Sequence, residues 1–110
     1  TPMANHRLIV FTNPKEGREQ DFRDWYVNTH LAEVSNLDGF ISGQLYTLAT
    51  PVAEGGHRHM AVYEIEEGRL GEAQQALGGA LKGGTLNMTD AFGPGQAALW
   101  WQEEAPAVTR

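Results

Sequence analysis

An α+β domain is what the sequence predicts. Runs of β-branched and aromatic residues alternate with segments of helical spacing, and 110 residues suffice for one domain with a single modest core. A further observation concerns chemistry. The first helical segment carries an imidazole and a carboxylate on the stripe that should be apolar.

Residues 7–12 (Arg-Leu-Ile-Val-Phe-Thr) read as a buried strand that Asn13-Pro14 ends. After the polar loop 15–17, residues 18–36 take helical spacing. Glu19 and Asp21 lie in the first turns, where the helix dipole favours them, and Gly39 stands just past the end. At about 100° per residue, Phe22, Tyr26, Thr29, His30, Glu33 and Leu37 share one stripe, with Leu31 nearly opposite His30. Residues 40–48 form a second strand. Strict alternation puts Phe40, Ser42, Gln44, Tyr46 and Leu48 on one face, and Ile41, Gly43, Leu45 and Thr47 on the other.

Pro51 and Gly55-Gly56 mark a loop before the third strand, 58–65, in which His59, Ala61 and Tyr63 oppose Met60 and Val62. Residues 69–81 are a second helix. Gly71, Gly78 and Gly79 each weaken it by roughly 1 kcal/mol against Ala, and their small size allows close approach. Residues 82–95 are Gly-rich and irregular, with Met88 and Phe92 as anchors, and 96–103 are the last strand. The order β-α-β-β-α-β predicts a ferredoxin-like plait: a four-stranded antiparallel sheet with two helices on one face. The domain spans 7–104. It follows a tag remnant and arm at 1–6 (Thr1-Pro2 ahead of Met3) and precedes a frayed tail at 105–110.

Both faces of these strands are apolar, so the face without helices needs a cover. A sheet-to-sheet homodimer is expected to supply it. The net charge of −6 and the scattered Lys and Arg argue against a nucleic-acid partner. No apolar run is long enough to span a membrane. The absence of Cys removes disulfides, iron–sulfur clusters and a thiol nucleophile. Residues 8–11 are too short a run for a signal peptide, and a cytoplasmic location is expected. His57 and His59 share a strand face, but nothing nearby completes a metal site, and there is no phosphate-loop or dinucleotide motif. Neither metal nor cofactor is expected.

The pattern Trp25-Tyr26-x-x-x-His30-Leu31-Ala32, followed by Gly39-Phe40 and Gln44-Leu45-Tyr46, resembles the EthD-like branch of the dimeric α+β barrel superfamily. Ala32 stands where many EthD-like members carry Pro. The resemblance implies a sheet-to-sheet dimer with a pocket between helices and sheet. It also implies a range of activities: cofactor-independent oxygenases, cyclases, isomerases and haem-handling enzymes. Fold alone does not choose among them.

His30, with an ordinary pKa near 6.5, is the candidate general acid or base. Glu33, three residues on, is placed to orient it, and Tyr26 or Tyr46 to donate a hydrogen bond to a developing oxyanion. Trp25, Gln44, His59 and Trp100 complete the expected substrate-binding set, since Trp100 and Trp101 must point to opposite faces. The expected function is a small cofactor-independent enzyme. It would act on an apolar or aromatic carbonyl-containing metabolite by His-assisted proton transfer, as an isomerase, cyclase, lyase or oxygenase. The alternatives are a non-catalytic hydrophobic-ligand-binding dimer and a haem-binding relative.

Overall fold

The computed structural model describes residues 4–110, so the tag remnant read at Thr1-Pro2 lies outside the described residues. The elements follow as β1 (Ala4–Thr12), α1 (Glu19–Trp25), a π turn (Tyr26–His30), α2 (Leu31–Ser35), β2 (Phe40–Thr47), β3 (His59–Glu66), α3 (Leu70–Gly83) and β4 (Ala97–Gln102). With α1, the π turn and α2 taken as one continuous helix, this is the expected β-α-β-β-α-β order. The strands form one antiparallel sheet in the order β2-β3-β1-β4. β1 starts earlier than hydropathy suggests, because Ala4 and His6 still pair with Glu66 and Ile65.

The core lies between the sheet and the helices. Leu8, Phe40, Ala61, Tyr63 and Ile65 from the sheet meet Phe22, Tyr26, Val34 and Ala73. Aromatic edges organise it: Phe22 packs edge-on against Tyr26 and Phe92, with ring centroids at 5.0 and 5.6 Å. The irregular loop after α3 is therefore tied down by Phe92, and by backbone bonds from Lys15 N–H to Ala91 O and from Gly93 N–H to Asn13 O, both 2.6 Å.

Strand β2 departs from strict alternation. Its register against β3 shifts between Phe40 and Ser42, so Phe40 pairs with Ile65 on the helix side while Gln44 pairs with Val62 on the other. One extra residue in a strand reverses the face of everything beyond it. Phe40 is buried, whereas Gln44 and Tyr46 lie on the outer face, so these residues do not share a side. The outer face is apolar through its centre at Ile9, Phe11, Met60 and Val62. Its flanks leave Tyr46 44%, Leu99 47% and Trp101 49% exposed.

Gly43 lets β2 approach the core. A Cβ there would lie 2.9 Å from the Tyr63 ring and 3.3 Å from Leu31 O. Tyr63 is fully buried, so shifting its ring disturbs the packing of its neighbours. Gly43→Ala is expected to lower the unfolding free energy by about 1–3 kcal/mol, the usual cost of overpacking. Urea denaturation measures this, and an unchanged midpoint contradicts it.

Candidate active site

The first helix does not keep one pitch. Between Trp25 and Leu31 it widens by one residue, so that the Leu31 N–H donates to Tyr26 O, five residues back. Val27, Asn28 and Thr29 are weak helix formers, which lowers the local resistance to such a widening. Tyr26 and His30 both face inward across this turn, and Trp25 lies beside them. The indole of Trp25 stacks on the His30 imidazole (centroids 4.2 Å, planes 19° apart), and Tyr26 meets the same imidazole edge-on at 5.4 Å. From the sheet, Tyr63 approaches His30 nearly perpendicularly at 6.4 Å.

Tyr26, His30 and Tyr63 border a cavity of about 140 Å³ between helix, sheet and α3. Its walls are mostly apolar, with Leu8, Val34, Leu77 and Phe92 among them, and Gln96 adds one amide. Two buried polar atoms on its lining residues lack any hydrogen-bond partner: His30 Nδ1 and Tyr63 Oη. An unsatisfied buried donor or acceptor costs about 1–3 kcal/mol. The same holds for atoms on Asn5, His6, Thr12 and His59.

Burial sets the protonation states. It pulls His30 down to about 4, against a smaller upward pull from the Glu33 charge. Burial pushes Tyr26 up to about 12, with Thr12 opposing it weakly. The Thr12 hydroxyl nonetheless has no bond of acceptable geometry. Tyr63 is driven upward still more strongly, first by burial and then by Tyr26. At neutral pH the imidazole is therefore neutral and both phenols keep their protons.

The residues expected at the site are only partly gathered. Tyr26, His30 and Trp25 come together. Glu33 does not orient His30: its carboxylate accepts hydrogen bonds from the Asn87 backbone N–H at 3.1 Å and from Asn87 Nδ2 at 2.7 Å. The Trp25 Nε1–H donates to Asn87 O at 2.6 Å, so one asparagine is gripped from both ends of the π turn. Trp25, held in this way, fixes the imidazole plane in place of the expected carboxylate.

Gln44 and Tyr46 cannot reach the cavity, because the β2 bulge puts them on the outer face, where Tyr46 Oη donates to Gln44 Oε1 at 3.3 Å. His59 is on the helix side but packs against Phe22 at 5.0 Å, away from this cavity. Burial, then Arg58 and Arg23, holds its pKa below the usual value. Trp100 faces the helix side opposite Leu8, beside a groove that adjoins the cavity. His57 is hydrogen-bonded to Gly95 O, and among the described residues no three His, Asp or Glu side chains converge. Tyr63, Asn87 and Gln96 went unread. Tyr63 alone had a signal, as the one phenol on the buried face of the third strand.

No family model matches the chain, and no curated protein does either. Solved structures do. A candidate antibiotic biosynthesis monooxygenase from Bordetella bronchiseptica shares the fold at TM-score 0.64 and 15% identity, covering 94% of this chain and 100% of the other. The haem degrader MhuD of Mycobacterium tuberculosis, with two haems in its active site, matches at 0.61 and 17%, covering 94% and 99%. An EthD family protein from Bacillus halodurans matches at 0.52 and 16%, covering 92% and 99%. The chain thus has a ferredoxin-like α+β fold, shared with these proteins, one of them of the EthD family. At these identities the likeness concerns fold.

The depressed pKa of His30 has a consequence for stability. In the unfolded chain the imidazole protonates near 6.5; in the folded chain it resists until about 4. The unfolded state binds the extra proton first, so stability is full above 6.5 and is lost as pH falls toward 4. With solvent screening allowed for, the loss is on the order of 2 kcal/mol. His30→Phe is expected to flatten this part of the profile in urea titrations between pH 7 and pH 4, leaving a smaller slope from His59. A variant profile parallel to the wild type would refute the assignment.

Proposed function

We propose that the protein is a small cofactor-independent enzyme that moves a proton on an apolar or aromatic carbonyl compound. The observation that carries this reading is the pair of partnerless polar atoms, His30 Nδ1 and Tyr63 Oη, on one small apolar cavity. The ligand's carbonyl oxygen accepts hydrogen bonds from Tyr63 and Tyr26, which stay protonated and so act as donors. The acidic C–H beside that carbonyl faces His30, whose neutral imidazole takes the proton. An imidazole with a pKa near 4 is a weak base while the cavity is empty. The enolate forming beside it offsets the desolvation and raises that pKa as the proton arrives. Returning the proton to a different carbon isomerises the substrate. Ring closure, bond cleavage or attack on dioxygen would start from the same enolate.

Small apolar ligands also fit the company of the fold, which includes a candidate antibiotic biosynthesis monooxygenase and a haem degrader. A haem-binding role is less well supported. At about 140 Å³ the cavity is below the 300–1,000 Å³ usual for ligand sites, and a macrocycle would not enter it without displacing α3. A non-catalytic ligand carrier would use the same cavity, and turnover separates the two.

Exchange of the acidic C–H of aromatic ketones and 1,3-diketones in D2O, followed by NMR, tests the reading. His30→Gln is expected to slow exchange about 100-fold or more, and Tyr63→Phe about 10- to 100-fold. Tyr63→Phe should at the same time keep or raise the unfolding free energy, since it removes an unsatisfied hydroxyl. Near-wild-type exchange in His30→Gln would sink the assignment.

We further propose that the outer sheet face pairs with a second copy, and that the protein works in the cytoplasm. No helix among the described residues is long and apolar enough to cross a membrane. Val62, at the centre of the outer face, pairs with Ile9 and Gln44. Val62→Asp is expected to convert a dimer into a monomer in sedimentation equilibrium, because an unpaired carboxylate would be desolvated in the seam. A wild-type chain that sediments as a monomer at millimolar concentration would refute the pairing.

A further inference from the structure

We infer that Asn87 and Glu33 are positioning residues for His30. They fasten residues 86–89 to the first helix and, through the Trp25 indole held by the same fastening, set the plane of the imidazole. The chemistry rests on the site reading above; the coupling of loop to imidazole goes beyond it.

The loop after α3 is attached differently along its length. From Asp90 onward it is tied to the start of the first helix and the end of β1. Arg18 Nη2 donates to Asp90 Oδ1 at 3.0 Å, Phe92 bridges Pro14, and Ala91 is fully buried. At its beginning, Gly84 (φ +68°) and Thr85, whose N–H donates to Ala80 O at 3.0 Å, complete the end of α3. Residues 86–89 span the interval. Among the described residues, the hydrogen bonds that join this segment to the first helix are all made by Asn87. Leu86 beside it is buried, and Met88, 55% exposed, forms part of the cavity wall. Whatever releases Asn87 therefore loosens that wall.

The same bonds reach the imidazole. Asn87 gives its backbone N–H and its side-chain amide to the Glu33 carboxylate, at 3.1 and 2.7 Å. With both held, its carbonyl is aimed, and the Trp25 Nε1–H donates to that oxygen at 2.6 Å. The indole is then fixed at its N–H and packed edge-on against Phe92 at 5.0 Å, which restricts its rotation. His30 lies flat on this ring at 4.2 Å, whereas Tyr26 and Tyr63 meet it nearly perpendicularly. His30 Nδ1 makes no hydrogen bond, so at that atom nothing else sets the ring. Its plane follows the indole, and the indole follows Asn87. A base held to within about 10–20° of its productive geometry is what proton transfer requires.

The test exchanges donor and acceptor across the fastening. Asn87→Asp sets a carboxylate against Glu33. Adding Glu33→Gln restores both bonds, since the new amide N–H donates to the new carboxylate and its oxygen accepts the backbone N–H of position 87. Position 87 is exposed, so both variants are expected to fold. Exchange of diketone C–H groups in D2O gives kcat and KM. Proton–nitrogen correlation spectra of the imidazoles, assigned with His30→Gln, report the ring itself. Asn87→Asp is expected to lower kcat about tenfold with KM within about threefold, to move the His30 ring signals, and to speed solvent exchange of the Trp25 indole N–H. The double variant should return kcat to within about threefold of wild type and restore the ring signals. Trp25→Phe, which keeps a ring and loses the N–H, should behave like Asn87→Asp, and combining the two should add less than about twofold. Wild-type kcat with unmoved ring signals in Asn87→Asp, or a loss that the double variant does not recover, overturns the inference. A raised KM at constant kcat also overturns it, because the loop would then serve binding alone. If no compound exchanges even in the wild type, the proton-transfer reading fails by itself and the ring signals decide the coupling. Their movement in Asn87→Asp and return in the double variant uphold it, and their constancy overturns it.

Discussion

The widened turn at Tyr26–His30 is the local constraint from which most of the molecule's particular features follow. A regular helix through this stretch would hold Trp25, Tyr26 and His30 at fixed 100° steps, and only some of them would face the sheet. With one residue added, three rings converge on one side, and Glu33 and Trp25 reach the same loop residue, Asn87. The loop then brings Phe92 onto Phe22 and Trp25 and closes the end of the cavity. A π turn forgoes part of the α-helical hydrogen bonding. Such turns persist where the surrounding packing holds them, frequently at functional sites.

Much of the architecture was legible because it depends on patterns that average over many residues. The element order, the buried strands and the glycine past the first helix are of this kind. What escaped was every feature set by a single inserted residue. A hydrophobic stripe ten residues long absorbs one extra residue without visible loss of period, so the π turn left no mark on it. The same holds for the bulge near Ile41. Alternation on either side of it looks regular, yet the two halves of the strand report opposite faces. Gln44 and Tyr46 were misplaced for that reason alone. The pairing of Glu33 with His30 rested on i,i+3 neighbours in a regular helix, and just ahead of that pair the helix is not regular. Tyr63 had a weak signal, since a phenol on a fully buried face must find a partner or go without.

A balance of solvation then ties fold to function. Trp25, Phe92 and the leucines keep water from His30 and Tyr63, which keeps the imidazole neutral and the phenols protonated. The same exclusion leaves both groups without partners. Stability and the proposed chemistry therefore oppose each other at these two positions: replacing either group by a hydrocarbon of similar shape removes a penalty from folding, and with it the polar atom that the proposed proton transfer needs. The acid sensitivity assigned to His30 has the same origin, since it is the cost of keeping a titratable ring dry.

The weak second helix belongs to this balance. α3 carries Gly71, Gly78, Gly79 and Gly83, a composition that lowers its intrinsic stability and gives it little apolar side-chain surface beyond Leu70, Leu77 and Leu81. At its start it is fixed by close contact: Gly39, at φ +88°, lies where a Cβ would be 2.8 Å from the Ala73 backbone nitrogen. At its far end the Leu81 and Trp100 side chains remain partly uncovered across the groove. The start is thus pinned to the core, and the far end is held by Leu77 and Ala80 while Leu81 stays half exposed. A helix that closed fully onto β4 would bury Leu81 and Trp100 and gain about 25 cal/mol per Å² of apolar surface. That gain is left untaken where Leu81 and Trp100 stay partly exposed, so the far end of α3 contributes less to the core than its start does.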